Sequence, residues 1–423
     1  MKVALYAMGS RGDVQPPAAL AATLVKRGHD VKLVAPKEFA NLVEGRGVTF
    51  CGLEGDIHAM VRDVVDNGKN PAVLFSRIAG EFGALGAEWT KAMRDYSTDC
   101  DVLVGIGGGG GGAEAVGQAL NKPYVIGFLQ PIIPTAEFPS PAFPPADLPG
   151  AINYAEHWLA LEALWMAFRP MSNKARKAVL GLPKIPWSPW RYLYRDGYPV
   201  LIACSPSVFP PPPEWKGRAE MTGYWYLDTA ADWRPPAELA TFLENGTPPV
   251  YFGFGSMNLA HPHETVETIL KSVKQVGCRA VISAGWAGLA PDHLSSDVYA
   301  GDNLPHDWLL PRMASVCHHG GAGTAAAAMR AGKPSIVVPF FADQPFFGWW
   351  LEKKLGVAPP RMREAALTVD RLSKAIEQTL TDQTMRANAT ALGEKIRAED
   401  GNARAAELIE MMVTSPSSYR NAT

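Results

Sequence analysis

The stretch SVCHHGGAGTAAAAMRAGKPSIVVPFFADQP, residues 315–345, decides the fold. Val316-Cys317 closes an apolar strand, Gly320-Gly321-Ala322-Gly323-Thr324 forms a turn of small residues, and Ala325 to Arg330 is built of strong helix formers. A second apolar strand, Ser335 to Pro339, follows. Strand, turn, helix and strand in that order predict a parallel βαβ unit with a right-handed crossover. Small residues in such a turn let an anion approach backbone N–H groups, and the helix start adds about 0.3–1 kcal/mol for negative charge. His319 enters the turn with a ring N–H able to donate to a phosphate oxygen. The alternative use of the turn is plain helix–strand packing around a buried histidine.

The alternation extends outward from this block. Pro249 to Phe254 (strand), Thr265 to Val276 (helix) and Arg279 to Ser283 (strand) lead up to it, and the turn in VYFGFGSMN could offer Gly255 and Ser256 to the same anion. Near the N-terminus, strands are predicted at Val3 to Ala7, Val31 to Ala35, Val102 to Ile106 and Tyr124 to Leu129, with helices at Ala18 to Lys26 and from about Ala113, after six glycines. Between these regions the texture changes. QPIIPTAEFPSPAFPPADLPG (130–150) is too rich in proline for regular structure and predicts a long ordered loop. YAEHWLALEALWMAFRP (154–170) predicts an aromatic helix, and SPSVFPPPPEWKGRAEMTGYW (205–225) an extended linker. The expected organisation is an N-terminal domain over 1–215, a linker over 216–235, a C-terminal domain over 236–400 and a tail over 401–423, helical from about Val369 to Met412. Both domains should be α/β with parallel sheets.

A chain of 423 residues is too long for one ordinary core, and 47% hydrophobic with 19% charged residues is a globular composition. A net charge of −2 without a dense Lys/Arg run argues against a nucleic-acid partner. No apolar run reaches spanning length and Met1 leads straight into a strand, so a soluble, cytoplasmic protein is expected. Five scattered cysteines without CxxC spacing read as reduced thiols, and the nine histidines form no metal-binding pattern. Asp99-Cys100-Asp101 has the look of a metal-binding DxD but directly precedes an apolar strand, so a strand-entry turn is expected.

The first sixteen residues, MKVALYAMGSRGDVQP, place Asp13 at a strand-to-helix turn where dinucleotide-binding folds hold a pyrophosphate. A carboxylate there either caps the helix or does other work while phosphate is held elsewhere.

HGGAGT (319–324) followed by Asp343-Gln344 resembles the donor site of family 1 glycosyltransferases. The longer blocks PHDWLLPRMASVCHHGGAGT (305–324) and GKPSIVVPFFADQPFFG (332–348) most resemble sterol β-glucosyltransferases and glycopeptide-antibiotic glycosyltransferases. GSRGDVQP, LVKRGHDVKLVAP and QPIIPTAEFPSP fit the same group, so the resemblance covers nearly the whole chain. It implies the GT-B fold, two Rossmann-like doubly wound domains facing across a cleft. By the same resemblance His319 contacts the donor diphosphate, with backbone groups of Gly321, Gly323 and Thr324 and with Ser256, while Asp343 and Gln344 bond hexose hydroxyls. Two places depart from plant members. Ala327 stands where a ribose-binding Glu is usual, and Asn303 near where a base-stacking Trp is usual. Base recognition is therefore assigned to Leu304 and His306, and UDP and dTDP both remain open.

The resemblance further implies inverting transfer of a hexose, with UDP-glucose or a dTDP sugar as co-substrate and neither metal nor other cofactor. Asp13 would be the general base. The acceptor pocket is assigned to Ser10, Gln130, Phe138, Phe143, Trp158 and Trp165, for a hydrophobic acceptor (sterol, triterpenoid, polyketide or flavonoid). Peripheral membrane contact and a monomeric or dimeric state stay open. Rival readings are another GT-B activity, such as a nucleotide-sugar epimerase, and a non-catalytic nucleotide-sugar binding protein.

Overall fold

Strands buried on both faces read as continuous apolar runs, and those runs build two parallel sheets. The computed structural model describes residues 1–55, 85–185, 188–190, 200–230, 232–255, 261–283 and 294–414. They divide into two compact units. The first comprises Met1–Ser140, Asp147–Leu227 and the segment from Asp400, and the second comprises Pro141–Ala146 and Asp228–Glu399.

In the first unit, β1 (Lys2–Met8), β2 (Asp30–Pro36), β3 (Thr49–Leu53), β4 (Val102–Gly107), β5 (Tyr124–Phe128), β6 (Val200–Ile202) and β7 (Ala219–Met221) form a sheet of order β3-β2-β1-β4-β5-β6-β7. Its helices include α1 (Arg11–Lys26), α2 (Gly110–Leu120) and α3 (Gly150–Val179). The sheet reverses its winding between β1 and β4, whose register pairs Met8 with Gly107. Ligands of doubly wound sheets bind at the carboxyl ends of strands at such a switch point. The turn after β1, with Asp13, lies there.

Helix α1 begins seven residues before the predicted start and runs through Pro16 and Pro17. Those prolines leave the carbonyls of Gly12 and Asp13 without helical donors, which is why the sequence reads as non-helical there. β7 lies inside the segment expected to be linker, so residues through Leu227 belong to the first unit. The C-terminal α11 (Gly401–Thr414) also belongs to it. Ala405, Ala406, Leu408 and Ile409 share one core with Ala18, Ala21 and Leu24 of α1. Arg27 makes two bonds to Glu410, at 2.8 and 2.7 Å, and His29 Nε2 lies 2.7 Å from the same carboxylate.

The second unit carries β8 (Val250–Gly253), β9 (Ala280–Ser283), β10 (Val298–Gly301), β11 (Ser315–His318) and β12 (Ser335–Val337) in the order β10-β9-β8-β11-β12. Helices α4 (Ala237–Glu244), α5 (Pro262–Val276), α6 (His306–Leu309), α7 (Ala322–Arg330), α8 (Gln344–Lys353), α9 (Val369–Thr381) and α10 (Gln383–Ala398) accompany it. Here the switch point falls between β8 and β11, between the Gly255 turn and the His319 turn.

The proline-rich segment forms no helix or strand between Phe128 and Gly150 and is ordered by buried polar anchors. His157, fully buried, sits between the carbonyls of Ile132 and Phe138, 3.2 Å from each. The Trp215 indole N–H donates to the Pro134 carbonyl at 3.2 Å, and the Ala136 N–H donates to Glu214 at 2.9 Å. Asp99 is paired with Lys2 and Lys32, and Asp101 accepts the Lys2 N–H, so the DxD is a strand-entry turn. All five cysteines are free. Among the described residues no helix is long and apolar enough to cross a membrane.

Candidate active site

In the first unit the chain leaves β1 through Gly9, at φ +128°, and enters α1 with Ser10 as N-cap. Asp13 is the third helical residue. Its Oδ2 accepts two hydrogen bonds from Ser10, from the backbone N–H at 2.8 Å and from the hydroxyl at 2.9 Å. This is the reciprocal half of a capping box, so Asp13 is not the cap itself. Ser10, assigned above to an acceptor pocket, spends its hydroxyl hydrogen on Asp13. Oδ1 makes no hydrogen bond among the described residues, which leaves one carboxylate oxygen for chemistry. Burial raises the Asp13 pKa above the ordinary carboxylate range, partly opposed by the two Ser10 bonds. A raised pKa makes the ionised form a stronger base.

Gly9 is required for this geometry. A Cβ there would fall 2.4 Å from Asp13 Oδ2. That this glycine seats the carboxylate is not visible from the order of residues in the turn.

The other assigned acceptor residues divide. Phe138 is 2% exposed and meets His157, Phe209 and Trp215 in edge or tilted ring contacts, so it packs in the core. Trp165 is also buried, on the inward face of α3. Trp158 and Gln130 are half-buried. Phe143 belongs to the short segment grouped with the second unit. The large apolar side chains that α3 exposes are aliphatic apart from Tyr154. Ile152, Leu159 and Met166 recur every seven residues at 46, 60 and 61% exposure. That spacing was legible in the sequence, but the aromatics drew the assignment instead.

In the second unit, His319 follows the last residue of β11 and its ring lies between two glycines. A Cβ at Gly255 would stand 3.3 Å from His319 Cε1, and one at Gly321 only 2.3 Å from Nε2. Gly321 is the N-cap of α7, so the imidazole packs across the helix start. Its Nδ1 is buried without a partner among the described residues. Burial, with a smaller contribution from His306, lowers its pKa to about 4. His319 is therefore a neutral donor near pH 7, not an imidazolium. The N–H groups of Ala322, Gly323 and Thr324 open α7 without helical acceptors, and Gly323 is exposed. Ser256 lies outside the described residues.

Gly320, at φ +90°, brings the residues assigned above to the hexose alongside, because a Cβ there would stand 2.9 Å from the Gln344 carbonyl oxygen. Asp343, half-buried, immediately precedes α8 and follows Ala342, which is held in the left-handed region at φ +54°. Such a residue is costly, by about 1–3 kcal/mol, and clusters at functional sites. Gln344 opens α8. It is 4% exposed, and its Oε1 accepts the N–H groups of Phe340 at 2.8 Å and Phe341 at 3.3 Å. Its acceptor oxygen is thus engaged by the backbone of the loop before α8. His306 Nε2 lies 3.3 Å from the Tyr251 hydroxyl with the rings edge-on, and Leu304 packs half-buried against the core cluster that contains this tyrosine.

Comparison with known proteins gives the same reading at both ends. Residues 3–111 match the glycosyltransferase family 28 N-terminal domain, and residues 254–412 match the erythromycin biosynthesis protein CIII-like C-terminal domain. The sterol 3-beta-glucosyltransferase of Emericella nidulans is 33% identical over 422 residues, covering 97% of this chain and 30% of that protein. The sterol 3-beta-glucosyltransferase of Arabidopsis thaliana is 32% identical over 418 residues, covering 96% of this chain and 64% of its own length. The chain thus spans less than two thirds of these relatives. Among solved structures, the glycosyltransferase SnogD from Streptomyces nogalater superposes with a TM-score of 0.68 at 19% identity, over 97% of this chain and 100% of that one. The glycosyltransferase VinC, solved with dTDP, gives 0.64 at 16% identity, over 97% and 99%. With two parallel α/β units and the matched domains at either end, the chain has the GT-B glycosyltransferase fold and is similar along nearly its whole length to sterol 3-beta-glucosyltransferases.

Proposed function

We propose that this chain transfers a hexosyl group, with inversion, from a nucleotide sugar to a hydroxyl of a hydrophobic small molecule, with UDP-glucose as donor and a sterol-like alcohol as acceptor. A dTDP sugar is the alternative donor, and triterpenoid, polyketide and flavonoid alcohols are the alternative acceptors. The observation that carries the reading is Asp13, whose Oδ2 is pinned by Ser10 while Oδ1 makes no hydrogen bond among the described residues and whose pKa is raised by burial. A carboxylate held in this way is a general base, able to take the proton of an acceptor hydroxyl as its oxygen attacks the anomeric carbon. The nucleoside diphosphate leaves with growing negative charge. The open N–H groups of α7 and the neutral His319 are suited to stabilise that charge. That the Emericella and Arabidopsis relatives are sterol 3-beta-glucosyltransferases supports a sterol-like acceptor and a glucosyl donor.

Replacement of Asp13 by Asn tests this directly. The amide retains the size of the carboxylate and can still accept from Ser10, but takes no proton. Turnover should fall about 10²–10⁴-fold, while nucleoside diphosphate affinity measured by calorimetry stays unchanged. Near-normal turnover in a folded Asp13→Asn protein would refute the assignment.

A further inference from the structure

His318 is the last residue of β11, with its Cα registered against Gly253 of β8 and Val337 of β12. It is fully buried. Its Nδ1 accepts the Gly320 N–H at 3.1 Å, which places the ring hydrogen on Nε2. That Nε2–H has no partner among the described residues. An orphaned buried donor is unfavourable, and an aliphatic side chain would fill the same space without it. Packing alone therefore does not account for an imidazole here. What the imidazole supplies is an acceptor for one particular N–H.

That N–H belongs to the residue on which the turn depends. Gly320 adopts φ +90° with the start of α8 close on one side, and the His319 ring lies across Gly321 on the other. Fixing the Gly320 peptide fixes both the His319 ring and the exit of the chain into α7. It also removes the Gly320 N–H from the set available to an anion, leaving those of Ala322, Gly323 and Thr324.

We propose that His318 is a positioning residue of the anion site: through Nδ1 it holds the Gly320 peptide so that His319 and the opening of α7 face the ligand together, and it does not itself touch the ligand. The inference rests on the reading of α7 as the diphosphate site.

The test compares UDP with uridine and dTDP with thymidine, by calorimetry for the diphosphates and ligand-observed NMR for the nucleosides. Asn at 318 can present Oδ1 where Nδ1 stands and accept the Gly320 N–H, whereas Leu accepts nothing. His318→Leu should weaken diphosphate binding by about tenfold or more, with nucleoside affinity unchanged, and His318→Asn should stay within about threefold of wild type. Should His318→Leu fail to fold, His318→Gln carries the test. Its amide reaches the Nε2 position, one atom too far for Gly320, and should behave as Leu is expected to. Diphosphate affinity unchanged in both His318→Leu and His318→Gln would overturn the proposal. So would equal weakening by Asn and Leu, or parallel loss of nucleoside and diphosphate binding. A wild-type protein that binds neither diphosphate would instead refute the diphosphate site, and this role with it.

Discussion

Alanine at Gly9 moves the Asp13 carboxylate without altering its chemistry. The new Cβ would fall 2.4 Å from Oδ2, and ordinary contact begins near 3.4 Å, so the carboxylate must retreat by about 1 Å. Misplacement by that distance costs roughly 10²-fold in turnover. The residue must also hold φ +128°, which for an L side chain costs about 1–3 kcal/mol of stability. Gly28→Ala provides the control. Gly28 has φ +89° with no atom within 4 Å of a Cβ, so it incurs backbone strain of the same kind and leaves Asp13 in place. The assay is acceptor-dependent release of nucleoside diphosphate, with thermal melting and calorimetry on each protein. Gly9→Ala should lose turnover by about 10² with diphosphate affinity intact, whereas Gly28→Ala should lose stability alone. Equal turnover in the two variants would show that the position of the carboxylate does not matter, and the assignment of Asp13 would fall with it.

Removal of the ring in His319→Ala should weaken UDP or dTDP binding about 10- to 150-fold, the worth of a hydrogen bond to a charged oxygen. Unchanged affinity by calorimetry would take His319 out of the site. Asp343→Ala should weaken the sugar nucleotide far more than the bare diphosphate, and equal loss for both would place its role elsewhere. Because Asp13 has a raised pKa and must be ionised to act, the acidic limb of kcat/KM should lie above the ordinary carboxylate range and disappear in Asp13→Asn. The raised pKa also means that the proton favours the fold. That contribution is present below the unfolded pKa and lost as pH rises through the folded one, so Asp13→Asn should not lose stability at neutral pH. Glu410 is the opposite case. The bonds from Arg27, ahead of those from His29, lower it to about 2, so its contribution to holding α11 is present above its unfolded pKa and lost as pH falls through about 2. Glu410→Gln should cost about 1–2 kcal/mol at pH 7, and the gap from wild type in urea melts should close towards pH 2. A gap independent of pH would contradict this role.

The strands most legible in the sequence are those whose burial on both faces demands unbroken apolar runs, such as Val3–Ala7, Val102–Ile106 and Pro249–Phe254. β7 has the sequence Ala-Glu-Met and lies at a sheet edge, so no hydrophobic run announces it. α11 shows helical periodicity, but a period does not name the surface it covers, and its return to α1 becomes visible only in the shared core. The small-residue turn before α7 was legible because glycines, histidine and a strong helix former sit in consecutive positions. The roles of individual polar atoms were not. Whether Ser10 faces an acceptor or pins Asp13, and whether Gln344 reads a sugar or caps Phe340, depends on rotamers that spacing does not encode. Phe138 shows the same limit for apolar side chains, since an aromatic in a proline-rich loop reads alike whether it lines a pocket or fills a core.

The central claim is that this chain moves a sugar from a nucleotide to a lipophilic alcohol. Incubation with UDP-glucose and, in parallel, with a dTDP hexose, against a panel of sterol, triterpenoid, polyketide and flavonoid alcohols, tests it most directly when read by mass spectrometry. The account predicts acceptor-dependent appearance of an alcohol carrying one added hexosyl group, in step with release of nucleoside diphosphate and unaffected by EDTA. Conversion of the nucleotide sugar to an isomer of equal mass with every acceptor unchanged, or tight donor binding with no turnover on any alcohol, would contradict it.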